Sequence, residues 1–188
     1  MGQVIWSDRT MEPKRSFRWL FSFGNASEGL PAYLCKGVNK PGFTIQNTDH
    51  VFLNHTFYYP GRVEWKEVTV NIADALEPDA AYHLYNMLSQ MGYRIPDLTT
   101  ALPTEELTTI SKKKASQDAL GQVVIQQIDA SGAIREEWTL HNPFITDVDF
   151  GKLSYSEDSI VELTIKFRYD WATEKSIGAD GVAREAGR

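Results

Sequence analysis

From position 161 to 171 every second residue is apolar. Val161, Leu163, Ile165, Phe167, Tyr169 and Trp171 alternate with Glu162, Thr164, Lys166, Arg168 and Asp170. Successive side chains of a strand point to opposite faces, so the pattern predicts one strand with a buried face and a wet face. At about 3.3 Å per residue it would run roughly 36 Å, well beyond the common strand of about 5–6 residues. Such a strand needs a large partner surface. The alternation recurs at 15–23, where Phe17, Trp19, Phe21 and Phe23 share a face before the Gly24-Asn25 stop. It recurs again at 33–38, ended by the turn signal Asn39-Lys-Pro-Gly42, and at 65–72, where Val68, Val70 and Ile72 face inward. Strands at 123–128 and 134–140 flank the turn Asp129-Ala-Ser-Gly132 as a hairpin, and one more strand is expected within 144–155.

The period changes once. Tyr82, Tyr85 (or Leu84), Leu88 and Met91 fall three to four residues apart, which predicts a helix over 78–91. Pro78 suits its first turn, Glu77 and Asp79 suit its N-terminal end, and Gly92 ends it. Residues 43–61 are apolar and aromatic without clean periodicity, and read as a long hairpin or an extended loop. Phe52, Phe57, Tyr58 and Tyr59 would then want covering, by the chain's own domain or by a neighbouring subunit. Residues 96–121, with Pro96, Pro103 and the Lys112-Lys113-Lys114 run, read as a long loop, with or without a short helix in it. Residues 1–14 are expected to be an N-terminal arm and 173–188 a flexible tail, leaving one domain over 15–172.

Composition narrows the function more than the fold. The 188 residues carry a net charge of −6, which disfavours a simple nucleic-acid binder. Residues 1–70 hold 8 basic and 6 acidic side chains, and the remainder holds 11 and 19. That is either scatter over a solvated surface or a subunit whose opposed surfaces meet head to tail. The single cysteine, Cys35, sits among Tyr33, Leu34 and Val38 and reads as a small buried thiol. The N-terminus lacks the basic start and apolar run of a signal peptide, and no stretch approaches the ~20 apolar residues of a membrane helix. No stable membrane association is expected.

The chemistry of catalysis is missing from the pattern. His50, His55, His83 and His141 show no zinc-motif spacing, no Gly-rich phosphate cradle joins a strand to a helix, and no serine sits in a nucleophile elbow. Asp147 and Asp149 share one strand face, and the solvated-edge reading outweighs an acid–base pair. No enzyme activity, metal or cofactor is expected. Glu162, Thr164, Lys166, Arg168 and Asp170 form a wet face of mixed charge that lines a channel or faces the outside.

The order of these elements resembles the tail tube proteins of contractile-tailed, T-even-like bacteriophages. The likeness rests on the aromatic strand Phe17-Arg-Trp-Leu-Phe21, the strand Cys35-Lys-Gly-Val-Asn-Lys-Pro-Gly42 and the Trp-led strand Trp65-Lys-Glu-Val-Thr-Val-Asn-Ile72. A single helix follows, and the chain closes with Trp138-Thr-Leu-His-Asn-Pro-Phe-Ile145, Leu153-Ser-Tyr155 and Leu163-Thr-Ile-Lys-Phe-Arg-Tyr-Asp-Trp171. The resemblance implies a mainly β protein, a β-sandwich or half-barrel with one flanking α-helix. Its strands would join across subunits into a ring-shaped barrel. It further implies homohexameric rings stacked head to tail inside a sheath, baseplate and tape-measure proteins as partners, and DNA passing through without specific binding. The setting would be a virion tail assembled in host cytoplasm. A tube-like baseplate, tail-terminator or secretion-system ring protein fits the same pattern, and a monomeric β-barrel ligand carrier is the alternative from another class. In the tube reading, Phe52, Phe57, Tyr58 and Tyr59 stack rings and the helix faces the sheath.

Overall fold

The computed structural model describes residues 13–24, 31–93, 109–178 and 182–185. The residues expected to form the N-terminal arm, up to 12, and the first half of the 96–121 loop, up to 108, lie outside them. Eleven strands make three antiparallel groups among the described residues. A five-stranded sheet runs in the order β1 (Trp19–Ser22), β6 (Val123–Ile128), β7 (Ile134–His141), β10 (Trp171–Ile177), β11 (Ala183–Glu185). A four-stranded sheet runs β2 (Cys35–Val38), β5 (Val68–Ala73), β9 (Glu162–Arg168), β8 (Phe144–Asp149). A hairpin of β3 (Phe43–Phe52) and β4 (His55–Trp65) stands by itself.

The two larger sheets close on one core because their strands alternate. β5 and β6 bury every second residue, and Val68, Val70, Ile72, Leu163, Ile165 and Phe167 lose all contact with solvent. Each such side chain contributes roughly 1.5–3 kcal/mol of burial. Phe21 and Phe23 reach from the first sheet to Phe167 in the second, with ring centroids 6.0 and 5.6 Å from it. The result is the mainly β sandwich that the alternation and the resemblance imply.

Helix α1 (Ala80–Gln90) flanks it. Asp79 caps the helix by accepting the Tyr82 backbone N–H at 2.9 Å. The buried stripe is Ala80, Leu84 and Met87, continued by Met91, whereas Tyr82 and Tyr85 are exposed. The aromatic spacing expected to mark the buried face therefore marks the open one. It packs on a π-helical segment, Lys114–Ala119, a short helix within the stretch that reads from sequence as a long loop with or without one.

The long strand expected over 161–171 is two strands in two sheets. β9 ends at Arg168, Tyr169 stays buried, and the chain turns at Asp170. The Asp170 N–H donates to the His141 carbonyl at 3.0 Å, and its carboxylate accepts from Lys112 at 2.6 Å and Asn142 at 2.8 Å. These bonds divert the backbone into β10, which pairs with β7 from Trp171↔His141 onward. Trp171 is consequently half exposed, stacked on His141 at 5.0 Å, and not part of the core. The same pairing corrects the expected flexible tail, since residues 173–177 lie within β10 and Ala183–Glu185 adds an edge strand. Trp65 ends β4 and does not lead β5.

Candidate self-assembly surface

Residues 43–61 form most of a hairpin, not a loop. All of β3 and all of β4 except Trp65 are exposed. Among the described residues the hairpin is tied down at its root. Phe43 packs edge-on against Trp65 at 5.6 Å, Trp65 meets Tyr169 at 5.9 Å, and the Lys66 N–H donates to the Gly42 carbonyl at 2.7 Å. The register places Phe52, Phe57 and Tyr59 on one face with His50 and His55, and Tyr58 on the other with Val51. All four aromatics singled out from sequence are exposed, and Ile45, Val51, Leu53 and Val63 extend the apolar surface beyond them. A lone two-stranded hairpin is marginal in water, and an exposed apolar patch of this kind marks an interaction site.

Two backbone features hide this strand pair from a periodicity search. Opposite Gln46, β4 takes an extra residue at Gly61-Arg62, which shifts the alternation. A Cβ on Gly61 would lie 3.0 Å from the Gln46 carbonyl oxygen, a tight contact that favours glycine at the bulge. At the tip, Leu53 and Asn54 join Phe52 to His55, and Leu53 sits at φ 52. That left-handed region suits glycine in a two-residue hairpin loop, yet a leucine occupies it, fully in solvent.

The outward face of the four-stranded sheet carries the wet side of β9. Glu162 pairs with Lys36 at 2.7 Å, Lys166 with Asp147 at 2.7 Å, and Arg168 with Glu67 at 3.5 Å. Thr164 donates to the Asn71 side-chain oxygen at 3.2 Å. The hydrogen bond and charge of Asp147 raise the Lys166 pKa. With Asp149 on the same face, three cations meet four carboxylates, and each of the three cations is engaged. Asp170 does not join this row, because it belongs to the bend, where the Lys112 and Asn142 hydrogen bonds lower its pKa.

One buried charged residue was not singled out from the sequence. Glu136 lies on β7 with its carboxylate buried. It accepts from Lys14, from Lys40 at 2.5 Å and from the Trp138 indole N–H at 2.5 Å. Burial pushes its pKa up, but the Lys14, Lys40 and Trp138 hydrogen bonds outweigh that and hold it at about 2. Lys40 also donates to Gln127 at 2.7 Å, and the Gln127 amide donates to the Arg15 carbonyl at 3.2 Å. The node therefore pins residues 14–15 and the segment that leads into β3. Cys35 is half-buried and burial raises its pKa to about 11, so it is an inert thiol at neutral pH.

Both larger sheets keep open edges among the described residues, β2 and β8 in one, β1 and β11 in the other. Unpaired edges template further strands unless something covers them. No group of metal-ligating side chains occurs among the described residues, and no described helix is long and apolar enough to cross a membrane.

No protein-family model matches the chain, and no curated protein does. Solved structures do resemble it. A chain of the sheath–tube complex of PVC, an extracellular contractile injection system in its extended state, aligns with a TM-score of 0.62 at 12% identity, over 94% of this chain and 100% of that one. The chain has a tail-tube-like fold. A chain of the 6-fold symmetrised anti-feeding prophage (AFP) baseplate gives 0.61 at 11% identity, over 88% and 97%, and one of the AFP tube terminating cap gives 0.60 at 14%, over 93% and 99%. The likeness is thus to contractile injection systems as a class and not to T-even-like phages in particular. A tail-tube-like fold accounts for the sandwich and for the near-complete coverage of both chains in each comparison.

Proposed function

We propose that this protein is a structural, non-enzymatic subunit of a contractile-tail tube, assembling as stacked homohexameric rings that conduct DNA or another cargo. The observation that carries the reading is the hairpin β3–β4, an exposed apolar arm on a tail-tube-like fold that nothing among the described residues covers. In a ring, β2 of one subunit would pair with β8 of the next, joining the four-stranded sheets into a closed barrel and removing both edges. The row Glu162, Thr164, Lys166 and Arg168 would then line the channel. Its cations are already neutralised by carboxylates, so they offer little to phosphate and let DNA slide. The exposed Tyr82 and Tyr85 on α1 would face a sheath protein, and baseplate and tape-measure proteins would meet the tube ends. The setting is a phage-like particle assembled in host cytoplasm. The likeness to baseplate and cap chains supports an end-ring role as the second reading.

Negative-stain microscopy of the purified protein, with a light-scattering mass, tests this. Rings or hollow rods are expected, and replacing Tyr58 and Tyr59 with Ser should abolish stacking while the circular dichroism spectrum stays unchanged. A strictly monomeric protein at high concentration, absent from tailed particles, would refute the reading.

A further inference from the structure

The hairpin root and a second exposed apolar group lie at opposite ends of one sheet. β5 and β9 pair from Val68↔Phe167 to Ala73↔Glu162. The hairpin enters β5 through Lys66 and Glu67, at the Val68 end. β8 leaves the sheet after Asp149, which pairs with Thr164, and residues 150–161 return to β9 at the Glu162 end. The connection after β5 starts at that end too, where the Asp74 N–H donates to the Val161 carbonyl at 2.9 Å. The two ends are five residue steps apart, about 17 Å.

At the Glu162 end Leu76, Phe150, Leu153, Tyr155 and Ile160 are all exposed, Leu153 to 83% and Tyr155 completely. The loop that carries four of them is held in shape. Gly151 sits at φ 79, where a Cβ would fall 2.6 Å from the Glu162 carbonyl oxygen, and its N–H donates to Asp149 at 3.0 Å. Ser154 and Ser156 bond through their hydroxyls at 2.8 Å. A fixed loop that displays large apolar side chains is a ready surface for a partner.

We infer that this loop patch is the seat for the hairpin tip (Val51, Phe52 and Leu53) of a second copy of the chain. Each end supplies what the other lacks. The tip is an exposed apolar wedge flanked by the imidazoles of His50 and His55, and the seat is an exposed apolar surface whose loop carries Glu157 and Asp158 as acceptors. Because tip and seat are different surfaces of the chain, the contact is heterologous, and each copy that offers a tip also offers a seat to the next. This inference rests on the tube reading and names the surface on which the arm lands.

Complementation separates the two. A tip-defective chain (F52S with L53S) and a seat-defective chain (L153S with Y155S) should each stack about a hundredfold more weakly, since two lost apolar anchors of about tenfold each multiply. Mixed in equal amounts, they retain one intact tip and one intact seat, so analytical ultracentrifugation should show two-layer pairs and nothing longer. Unimpaired stacking by the seat-defective chain, or no pairs in the mixture, would overturn the seat and leave the tube reading standing. Should the seat-defective chain lose its fold by circular dichroism, the pair L53C and Y155C in a Cys35→Ser background decides. Oxidation should give a ladder of covalent oligomers, and assemblies that still form without a ladder would overturn the seat. If the unsubstituted chain forms no assembly, the tube reading and the seat fall together.

Discussion

The inner face of β9 and the hairpin β3–β4 both present large apolar side chains, with opposite outcomes. Leu163, Ile165 and Phe167 are sealed between two sheets, whereas Phe52, Phe57, Tyr58 and Tyr59 stand in solvent. The difference lies in what each strand pairs with. β9 lies between β5 and β8 and has a second sheet over its inner face, so its burial is complete within one chain. Among the described residues the hairpin pairs only with itself and buries nothing beyond its root. An element that costs conformational entropy to order without core burial in return is best explained by burial in an assembly. The core makes the subunit, and the proposed assembly accounts for the arm.

The comparison predicts that damage on the two surfaces reads out in different experiments. Phe167→Ala opens a cavity among Phe21, Phe23 and Phe167 and should lower monomer stability by about 3–5 kcal/mol, measured by urea unfolding. A loss below about 1 kcal/mol would mean that the sheets are not packed through this ring.

Glu136, on the five-stranded sheet, holds Lys40 just before the hairpin, so its removal should touch both the subunit and the arm. Glu136→Gln leaves Lys14 and Lys40 facing a neutral amide and should cost about 2–3 kcal/mol. The pH dependence has a definite sign. The carboxyl is at about 2 in the fold against 4.5 ordinarily, so its contribution is present above pH 4.5 and is lost as pH falls towards 2. The unsubstituted chain should therefore lose stability across that window more steeply than the glutamine variant. Lys40 precedes β3, so amides at the hairpin root should also exchange faster in the variant. Equal slopes for the two chains would remove Glu136 from its role as anchor.

What was legible in the sequence follows the same division. Local alternation predicts β5, β6 and β7, because half-buried strands impose period two on the residues themselves. The turn at Asp170 was not legible, since it depends on His141, Asn142 and Lys112, far away in sequence. Nor was the burial of Glu136, which its neighbours Arg135 and Glu137 disguise as surface charge. The hairpin was half legible. Its aromatics drew attention, while the Gly61 bulge broke the period that would have identified two strands. The proposed seat was not legible because Leu153, Tyr155 and Ile160 have no periodicity, and only the fold shows that they are exposed.

The smallest effect gives the sharpest separation between making the subunit and joining it to others. Leu53 occupies a left-handed conformation at the hairpin tip, which costs a non-glycine residue about 1 kcal/mol. Leu53→Gly removes that strain, so the hairpin should open less often, and slower amide exchange across Thr48↔Tyr59 and His50↔Phe57 would show it. Global unfolding should hardly move, because the hairpin contributes little to the core. Stacking should weaken about tenfold, since the apolar tip is gone. A leucine kept only for the turn would give the reverse, with glycine improving the hairpin and leaving stacking intact or stronger. Opposite signs on the two measurements would therefore show that the strained residue is held for the contact it makes with another copy.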